Sequence, residues 1–203
     1  MDRDAAVRAE LIRAAKVLAD YDCLPATDGN LSARLDGKRI VITRTCIEKR
    51  TLAESDLVEV QLTDESPAGV SSEWPMHSII YSARSDVNCI LHVHSPGLTA
   101  FAAAHKLPDM AILTEAAMAI GEIAFVPYAK PGSDDMGTKL LAASPSATVY
   151  VLANHGALAV GQTITEALHR LERAEFLART ELSVKTLGGA VQLSDPEMQG
   201  LHP

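Results

Sequence analysis

The sequence predicts an α/β fold in which helices frame several short strands of one mixed or antiparallel sheet. The chain has 203 residues, which is enough for one sizeable hydrophobic core and fits one domain better than two. Hydrophobic residues make up 47% of the chain and charged residues 22%, as is typical of globular proteins. We therefore expect a single domain over residues 1–203.

The first half of the chain predicts a helix, then three strands, then the start of a second helix. Apolar residues within 5–20 recur on one stripe, which is the pattern of an amphipathic helix. Asp36-Gly37 is a hairpin turn signal between two short strands, and residues 56–62 alternate as a further strand does. Pro75, shortly after two serines, indicates where the second helix begins.

The second half predicts strands that alternate with helices. Apolar runs predict strands at residues 87–94, 110–115, 122–128 and 147–153. An NHG turn then leads into a short return strand, and a helical pattern begins near residues 131–133. Thr163 and Glu166 form a T-x-x-E capping box that opens the last helix, and Gly188-Gly189 indicates its exit.

Composition and charge argue against several classes of function. The formal net charge is -8 and no basic run occurs, which disfavours nucleic acid and anionic membranes as partners. Aromatic residues are only 4% of the chain, so platforms for base stacking are scarce. Three widely spaced cysteines imply no disulfide framework, and no apolar run reaches the length of a membrane helix. We expect a soluble cytoplasmic protein without nucleic-acid or membrane partners.

The predicted strand CILHVHSP contains two histidines that indicate a metal site. His92 and His94 are two residues apart, so a strand turns both side chains to the same side. His155 follows another predicted strand, in a tight turn that can aim it inward. Converging neutral imidazoles are ligands for a transition metal, commonly zinc. Taken alone, each pattern is more typical of ordinary histidines with polar partners or of a plain turn.

The segment SSEWPMH contains a candidate functional carboxylate, Glu73. Glu73 stands at a predicted helix start, so its structural role would be an interaction with the helix dipole. The functional interpretation places it beside the metal, as general base or as a switching ligand. His77 is expected to make structural hydrogen bonds, since the order of residues differs from the zinc-protease motif H-E-x-x-H.

Five segments occur in one order across residues 27–161, namely TDGNLSARL, VITRTCI, SSEWPMH, LHVHSP and LANHGALAVG. In this combination the chain resembles the class II aldolase/adducin family, whose enzymes include L-fuculose-1-phosphate aldolase and L-ribulose-5-phosphate 4-epimerase. The resemblance implies a three-layer αβα fold with a central, largely antiparallel mixed sheet, and a homotetramer with sites near the subunit interfaces. It also implies that His92, His94 and His155 bind zinc or another divalent transition metal and that Glu73 works at that metal.

The resemblance further implies a region that binds a substrate phosphate. The residues that match it are Thr27, Gly29, Asn30, Thr45, Ser71 and Ser72. Asp28 stands where serine or alanine is usual, and Cys46 stands where a glycine is expected. A carboxylate repels a phosphate dianion, and a Cβ atom obstructs close approach to the backbone.

Asp28 and Cys46 therefore leave the substrate class open at this point. If both line the site, the substrate is unphosphorylated or has a carboxylate instead of a phosphate. If Asp28 points to solvent and Cys46 is a harmless variant, a sugar phosphate fits. The cations close in sequence that would offset the Asp28 charge are Arg34, Arg44 and Lys49.

A third departure concerns the proton donor. Fuculose-phosphate aldolases use a tyrosine at a position that aligns near Leu113 here. Glu115, two residues on, is a candidate substitute as catalytic acid or metal neighbour, and a surface glutamate is the alternative. The short segment after residue 190 contains no tyrosine that would complete the site.

The resemblance implies a zinc-dependent aldolase that cleaves a sugar phosphate or related hydroxyketone between its third and fourth carbons. Zinc would stabilise the enediolate, and Glu73 would exchange a proton with it. A 4-epimerase, a dehydratase or a decarboxylase would use the same chemistry. An adducin-like module without catalysis is the remaining alternative, and the complete set of three histidines and Glu73 argues against it.

Overall fold

The computed structural model describes residues 2–65 and 67–201, so residues 1, 66, 202 and 203 of the predicted domain lie outside the described part. A seven-stranded sheet forms its centre. The strands are β1 Asn30–Arg34, β2 Arg39–Thr43, β3 Leu57–Gln61, β4 Cys89–Val93, β5 Ile123–Val126, β6 Val149–Leu152 and β7 Gly156–Gly161. Their spatial order is β3-β2-β1-β4-β7-β6-β5, and the β5–β6 pair is parallel while the others are antiparallel. The predicted mixed, largely antiparallel sheet is confirmed.

Helices pack on both faces of this sheet and form the outer layers. The helices of the described residues are α1 Arg3–Asp20, α2 Trp74–Ala83, α3 Pro96–Ala104, α4 Thr114–Ala119, α5 Asp134–Ala143, α6 Ile164–Val184 and α7 Asp195–Gln199. Buried side chains of α1, α3, α4 and α6 share one hydrophobic cluster with the sheet, and those of α2 and α5 share another. The three-layer αβα architecture is therefore confirmed.

Strand β4 lies near the middle of the sheet, and all five of its residues are buried. Leu91 and Val93 face the cluster that contains α1 and α6, whereas Ile90 faces the cluster that contains α2. By the two-residue period of a strand, His92 lies on the same side as Ile90. Strand β1 pairs with β4 so that Asn30 is opposite His92. The sheet therefore brings two candidate site residues together beneath the start of α2.

Local turn chemistry explains the hairpin that the sequence predicts. The Asp36 carboxylate accepts hydrogen bonds from the backbone N–H groups of Lys38 and Arg39, which holds the turn between β1 and β2. The last long helix also begins as predicted, because the Thr163 hydroxyl accepts from the Glu166 N–H. In a regular capping box the Glu166 carboxylate would accept from the Thr163 N–H. Here it accepts from the N–H of the preceding residue, Gln162.

The prediction of a strand at residues 110–115 is wrong. This segment forms a short 3-10 turn, Met110–Ile112, followed by the start of α4. The Asp109 carboxylate caps the turn by accepting from the Ala111 N–H, and the following residues are strong helix formers. Within residues 2–65 and 67–201, none of the helices combines the length and the apolar character that crossing a bilayer requires.

Candidate metal centre and active site

A polar cavity of about 190 Å³ opens where β4 ends. Its lining includes all eight residues predicted to bind substrate, from Thr27 to Ser72, together with Glu73, His94 and His155. Three further residues line it, namely Arg44, Lys49 and Pro131. Residues that are distant in sequence therefore meet in one place, as the resemblance implies.

The three histidines converge at the inner end of this cavity. His92 and His94 come from the end of β4, and His155 comes from the β6–β7 turn, where Asn154 has a left-handed backbone with φ 55°. One ring nitrogen of each histidine lies within 4.8 Å of the corresponding nitrogens of the other two. The Nε2 atoms of His92 and His94 are 3.3 Å apart. Such spacing leaves room for one ion between the rings.

Hydrogen bonds on the far side of two rings orient them toward one another. The Nδ1 atom of His92 lies 3.0 Å from the Ala157 carbonyl oxygen, and because a carbonyl only accepts, Nδ1 donates. The Nε2 atom of His92, which can bind a metal once it has no proton, therefore faces the cavity. The Nδ1 atom of His94 lies 3.2 Å from Oδ2 of Asp28, which acts in the same way. Partners of this kind fix the orientation of metal-binding histidines.

Glu73 is the carboxylate of the site, and its side chain makes no capping hydrogen bond to α2. It is 6% exposed, with Oε2 lying 3.0 Å from His92 Nε2 and Oε1 lying 3.4 Å from His155 Nε2. The Asn30 side-chain amide donates to Oε2 at 2.8 Å. Burial by itself raises the pKa of Glu73, but His92, His155 and this amide outweigh it and hold the pKa well below the usual range. Glu73 is therefore an anion at neutral pH.

The donor set fits a divalent transition metal. Three imidazole nitrogens converge, and one carboxylate lies beside two of them, which is the ligand chemistry of zinc sites. Among the residues that the structure describes, the buried Oε1 atom of Glu73 finds no hydrogen-bond partner, which suits an atom that binds an ion. Burial, reinforced by the neighbouring His92, lowers the pKa of His155 to about 4 and also lowers that of His94. Both rings are therefore neutral near pH 7, as metal binding requires. Burial by itself lowers the pKa of His92, but Glu73 outweighs it and raises that pKa, so a bound metal would displace the Nε2 proton of this ring.

A buried chain of hydrogen bonds supports Glu73 from below. Asn30 Oδ1 accepts from His77 Nε2 at 2.5 Å, so the neutral ring of His77 accepts at Nδ1 from the Ser32 hydroxyl at 2.7 Å. The Ser32 oxygen in turn accepts from the Tyr81 hydroxyl at 2.8 Å. His77 thus has the structural role expected of it, and it fixes the amide that holds Glu73.

The sequence indicates Lys49 only as a cation near Asp28, and the structure gives it a more specific position. It begins a 3-10 turn and is 2% exposed, and its ammonium donates to the Thr27 carbonyl oxygen. Among the described residues, no carboxylate lies within ion-pair distance of Lys49 or Arg44. Arg34 is not at the cavity, because its guanidinium binds backbone carbonyls that include that of Tyr81. The cavity thus has two cations without carboxylate partners.

Glu115 is not brought to the histidines within this chain. It lies exposed at the start of α4 and lines a different cavity of about 380 Å³, together with Tyr21, His169 and Phe176. Asp28 lies at the predicted cavity, but its carboxylate contacts His94. Cys46 lines the cavity with φ 57°, the left-handed conformation that favours glycine.

Comparisons with known proteins agree with this geometry. The sequence profile described as Class II Aldolase and Adducin N-terminal domain matches residues 9–182. An L-fuculose phosphate aldolase of Methanococcus maripaludis is 31% identical over 179 residues, which are 88% of this chain and 97% of that protein. A methylthioribulose-1-phosphate dehydratase of Bradyrhizobium sp. is 25% identical over 193 residues, with coverage of 86% and 89%.

The fold comparison gives the same result. The solved structure of an L-fuculose 1-phosphate aldolase is 31% identical in sequence and superposes with a TM-score of 0.84, covering 97% of this chain and 94% of that one. The profile match extends over most of the chain and contains all three histidines and Glu73. The protein therefore belongs to the class II aldolase and adducin family.

Proposed function

We propose that the protein is a zinc-dependent lyase that cleaves a sugar phosphate, in the manner of an L-fuculose-phosphate aldolase. The observation that supports this most strongly is the position of Glu73, whose two oxygens lie 3.0 and 3.4 Å from His92 and His155. A buried carboxylate at a three-histidine site combines a proton-transfer group with a metal in one cavity. The relative named L-fuculose phosphate aldolase supports the same reaction class.

The metal would be held by His92, His94 and His155, with Glu73 as an exchangeable fourth ligand. When bound, it supplies a Lewis acid that stabilises negative charge on the substrate oxygens during cleavage. Glu73 moves the proton. When the carbon–carbon bond breaks, the hydroxyl group of the departing fragment gives up its proton and becomes the aldehyde carbonyl, while the electron pair of the bond stays on the carbon beside the substrate carbonyl group. That carbon then takes up one proton, which balances the proton lost from the hydroxyl group. Because the pKa of Glu73 is held low, its carboxylate is ready to accept that proton in the reverse direction.

Other residues that line the cavity support a phosphorylated substrate. Hydroxyl groups of Thr45, Ser71 and Ser72 line it, and so do Lys49 and Arg44. Phosphate has a charge of about −1.5 to −2 near neutral pH. One unit charge about 4 Å from another is worth about 4 kcal/mol at an effective dielectric of 20. Two carboxylates also line the cavity, but each lies against histidines, Glu73 against His92 and His155 and Asp28 against His94. Lys49 and Arg44, which have no carboxylate partner among the described residues, therefore remain to attract the phosphate.

A dehydratase is the second candidate function. It is favoured by the similarity to the methylthioribulose-1-phosphate dehydratase, which extends over nearly the same part of the chain. The same metal and Glu73 would remove a proton beside the carbonyl group, and a hydroxyl group would leave as water. Product analysis separates the two reactions, because an aldolase releases an aldehyde fragment and a dehydratase releases a product lighter by one water.

The experiment begins with the metal. Elemental analysis of the purified protein should give one divalent ion per chain, and His155→Ala should lose it while His169→Ala, at an exposed position of α6, keeps it. The zinc-loaded protein is then incubated with a panel of ketose 1-phosphates and their unphosphorylated parents. Release of an aldehyde from a phosphorylated ketose is the expected result. A protein that binds no metal, or that releases neither an aldehyde nor water from any member, contradicts the proposal.

A further inference from the structure

Asp28 and His94 are 66 residues apart in sequence and meet at the mouth of the cavity. Oδ2 of Asp28 lies 3.2 Å from Nδ1 of His94. A carboxylate has no proton to donate at neutral pH, so the histidine donates from Nδ1. The Nε2 lone pair of His94 is then turned toward His92, whose Nε2 atom is 3.3 Å away.

The backbone on both sides of this contact is held in place. The Asp28 N–H donates to the Pro25 carbonyl oxygen at 2.9 Å, which closes a turn, and Lys49 donates to the carbonyl oxygen of Thr27, the residue before Asp28. Gly29 follows with φ +72°, and a Cβ atom there would lie 2.6 Å from the His92 carbonyl oxygen. The loop is therefore packed directly on the end of β4, so Asp28 is presented to His94 by a fixed support.

His92 in β4 and His94 directly after it are oriented by partners of different charge. His92 donates to a neutral carbonyl oxygen, that of Ala157, deep in the sheet. His94 donates to a carboxylate that is 51% exposed at the cavity mouth. A carboxylate partner fixes the tautomer and raises the basicity of the imidazole toward a metal. The second effect is larger when the partner has a negative charge than when it is neutral.

We propose that Asp28 is a positioning residue for the metal, acting through His94 rather than through contact with the substrate. This inference rests on the proposed function, since it assumes that the three histidines hold an ion. It explains why a carboxylate is accommodated in a loop whose other residues line the cavity that we propose binds a phosphate. In this role Asp28 orients a metal ligand, whereas the sequence alone suggests that its charge repels a substrate phosphate.

The test measures metal affinity in the full-length protein. Asp28→Ala removes the acceptor and the charge, and Asp28→Asn keeps an acceptor but removes the charge. Asp135→Asn is the matched control, because Asp135 is 54% exposed and pairs with a cation, Lys139, on α5. Dissociation constants for zinc are obtained by competition with a chromogenic chelator, and the visible absorption of the cobalt-loaded protein reports the ligand geometry.

Loss of an outer partner of a metal ligand typically weakens metal binding by about 10- to 100-fold. We expect a loss of this size for Asp28→Ala together with an altered cobalt spectrum, a smaller loss for Asp28→Asn, and wild-type affinity for Asp135→Asn. Wild-type affinity in Asp28→Ala overturns the inference. If Asp28→Ala does not fold, Asp28→Asn decides, and wild-type affinity there also overturns it. A wild-type protein that binds neither ion contradicts the proposed function itself, so the two failures are distinguishable.

Discussion

Replacing His77 by glutamine is expected to reduce the dependence of protein stability on pH between pH 7 and pH 5. The His77 side chain is fully buried and accepts a hydrogen bond from Ser32 while it donates to Asn30. A second proton on this ring would leave a donor facing the Ser32 hydroxyl and would place a charge inside the core. The folded state therefore keeps the ring neutral.

The magnitude follows from the difference in pKa between the folded and unfolded states. Burial, reinforced by the nearby His92, lowers the pKa of His77 from 6.5 to about 3. Between these values the unfolded chain binds a proton at this ring and the folded chain does not. The free energy of unfolding is therefore fully retained above the unfolded pKa and falls as the pH falls toward the folded pKa. For one proton, lowering the pH from 7 to 5 removes about 2 kcal/mol.

The assay is urea unfolding at both pH values, with a chelator present so that metal binding contributes to neither measurement. The difference in unfolding free energy between pH 7 and pH 5 should be about 2 kcal/mol smaller in His77→Gln than in wild type. His169→Gln, at an exposed position of α6, is the control and should keep the wild-type difference. If the unfolding free energy changes by the same amount between pH 7 and pH 5 in wild type and in His77→Gln, the proposed role of His77 is refuted, whatever the absolute stability of the variant.

Three further predictions concern the site and the assembly. Glu73→Gln should keep the fold and lower turnover about 10²- to 10⁴-fold, as measured with the phosphorylated substrate, because the amide lacks basicity; undiminished turnover removes Glu73 from the mechanism. Lys49→Met should raise KM for the phosphorylated substrate roughly 10- to 100-fold, the typical effect of losing one charged hydrogen bond. Unphosphorylated ketoses should respond little to that change, and Lys139→Met should affect neither class. Light scattering at micromolar concentration should give about four times the chain mass of 21.6 kDa, and a mass near 21.6 kDa would contradict the predicted homotetramer.

Features that depend on local chemistry could be predicted from the sequence. The hairpin follows from the Asp36 side chain, which binds backbone groups within three residues. The shared direction of His92 and His94 follows from the strand period alone. The meeting of the Thr27–Asn30 loop with Ser71 and Ser72 could be expected only from the family resemblance, since no local pattern connects segments more than 40 residues apart.

Other features depend on contacts that the local sequence does not specify. The run Met110–Ile112 is apolar and short, so its period fits a strand or a helix equally well. Two features favour a turn followed by a helix. Asp109 caps the turn, and α4 packs against the cluster that contains α6. Glu115 consequently lies at a different cavity from the histidines. The burial of Lys49 and the contact between Asp28 and His94 are likewise tertiary, and no spacing in the sequence indicates them.

The last prediction concerns Cys46, which lines the cavity in a left-handed conformation with φ 57°. For a residue with a Cβ atom this conformation costs about 1–2 kcal/mol, while glycine adds unfolded-state entropy worth about 0.4–1 kcal/mol. Cys46→Gly should therefore stabilise the protein by roughly 0.5–1 kcal/mol in urea unfolding.

Cys46→Ala is the matched control for this change, because it removes the thiol but keeps the Cβ atom and its strain. It should give no such gain, and an alanine variant as stable as the glycine variant would contradict the strain argument. If glycine does stabilise the fold, the wild-type protein keeps a strained side chain that faces the same cavity as Lys49 and Ser71. Strained residues of this kind are concentrated at functional sites. If Cys46→Gly also changes the substrate preference, while surface variants of equal stability do not, the strained conformation of Cys46 contributes to substrate selection in the cavity.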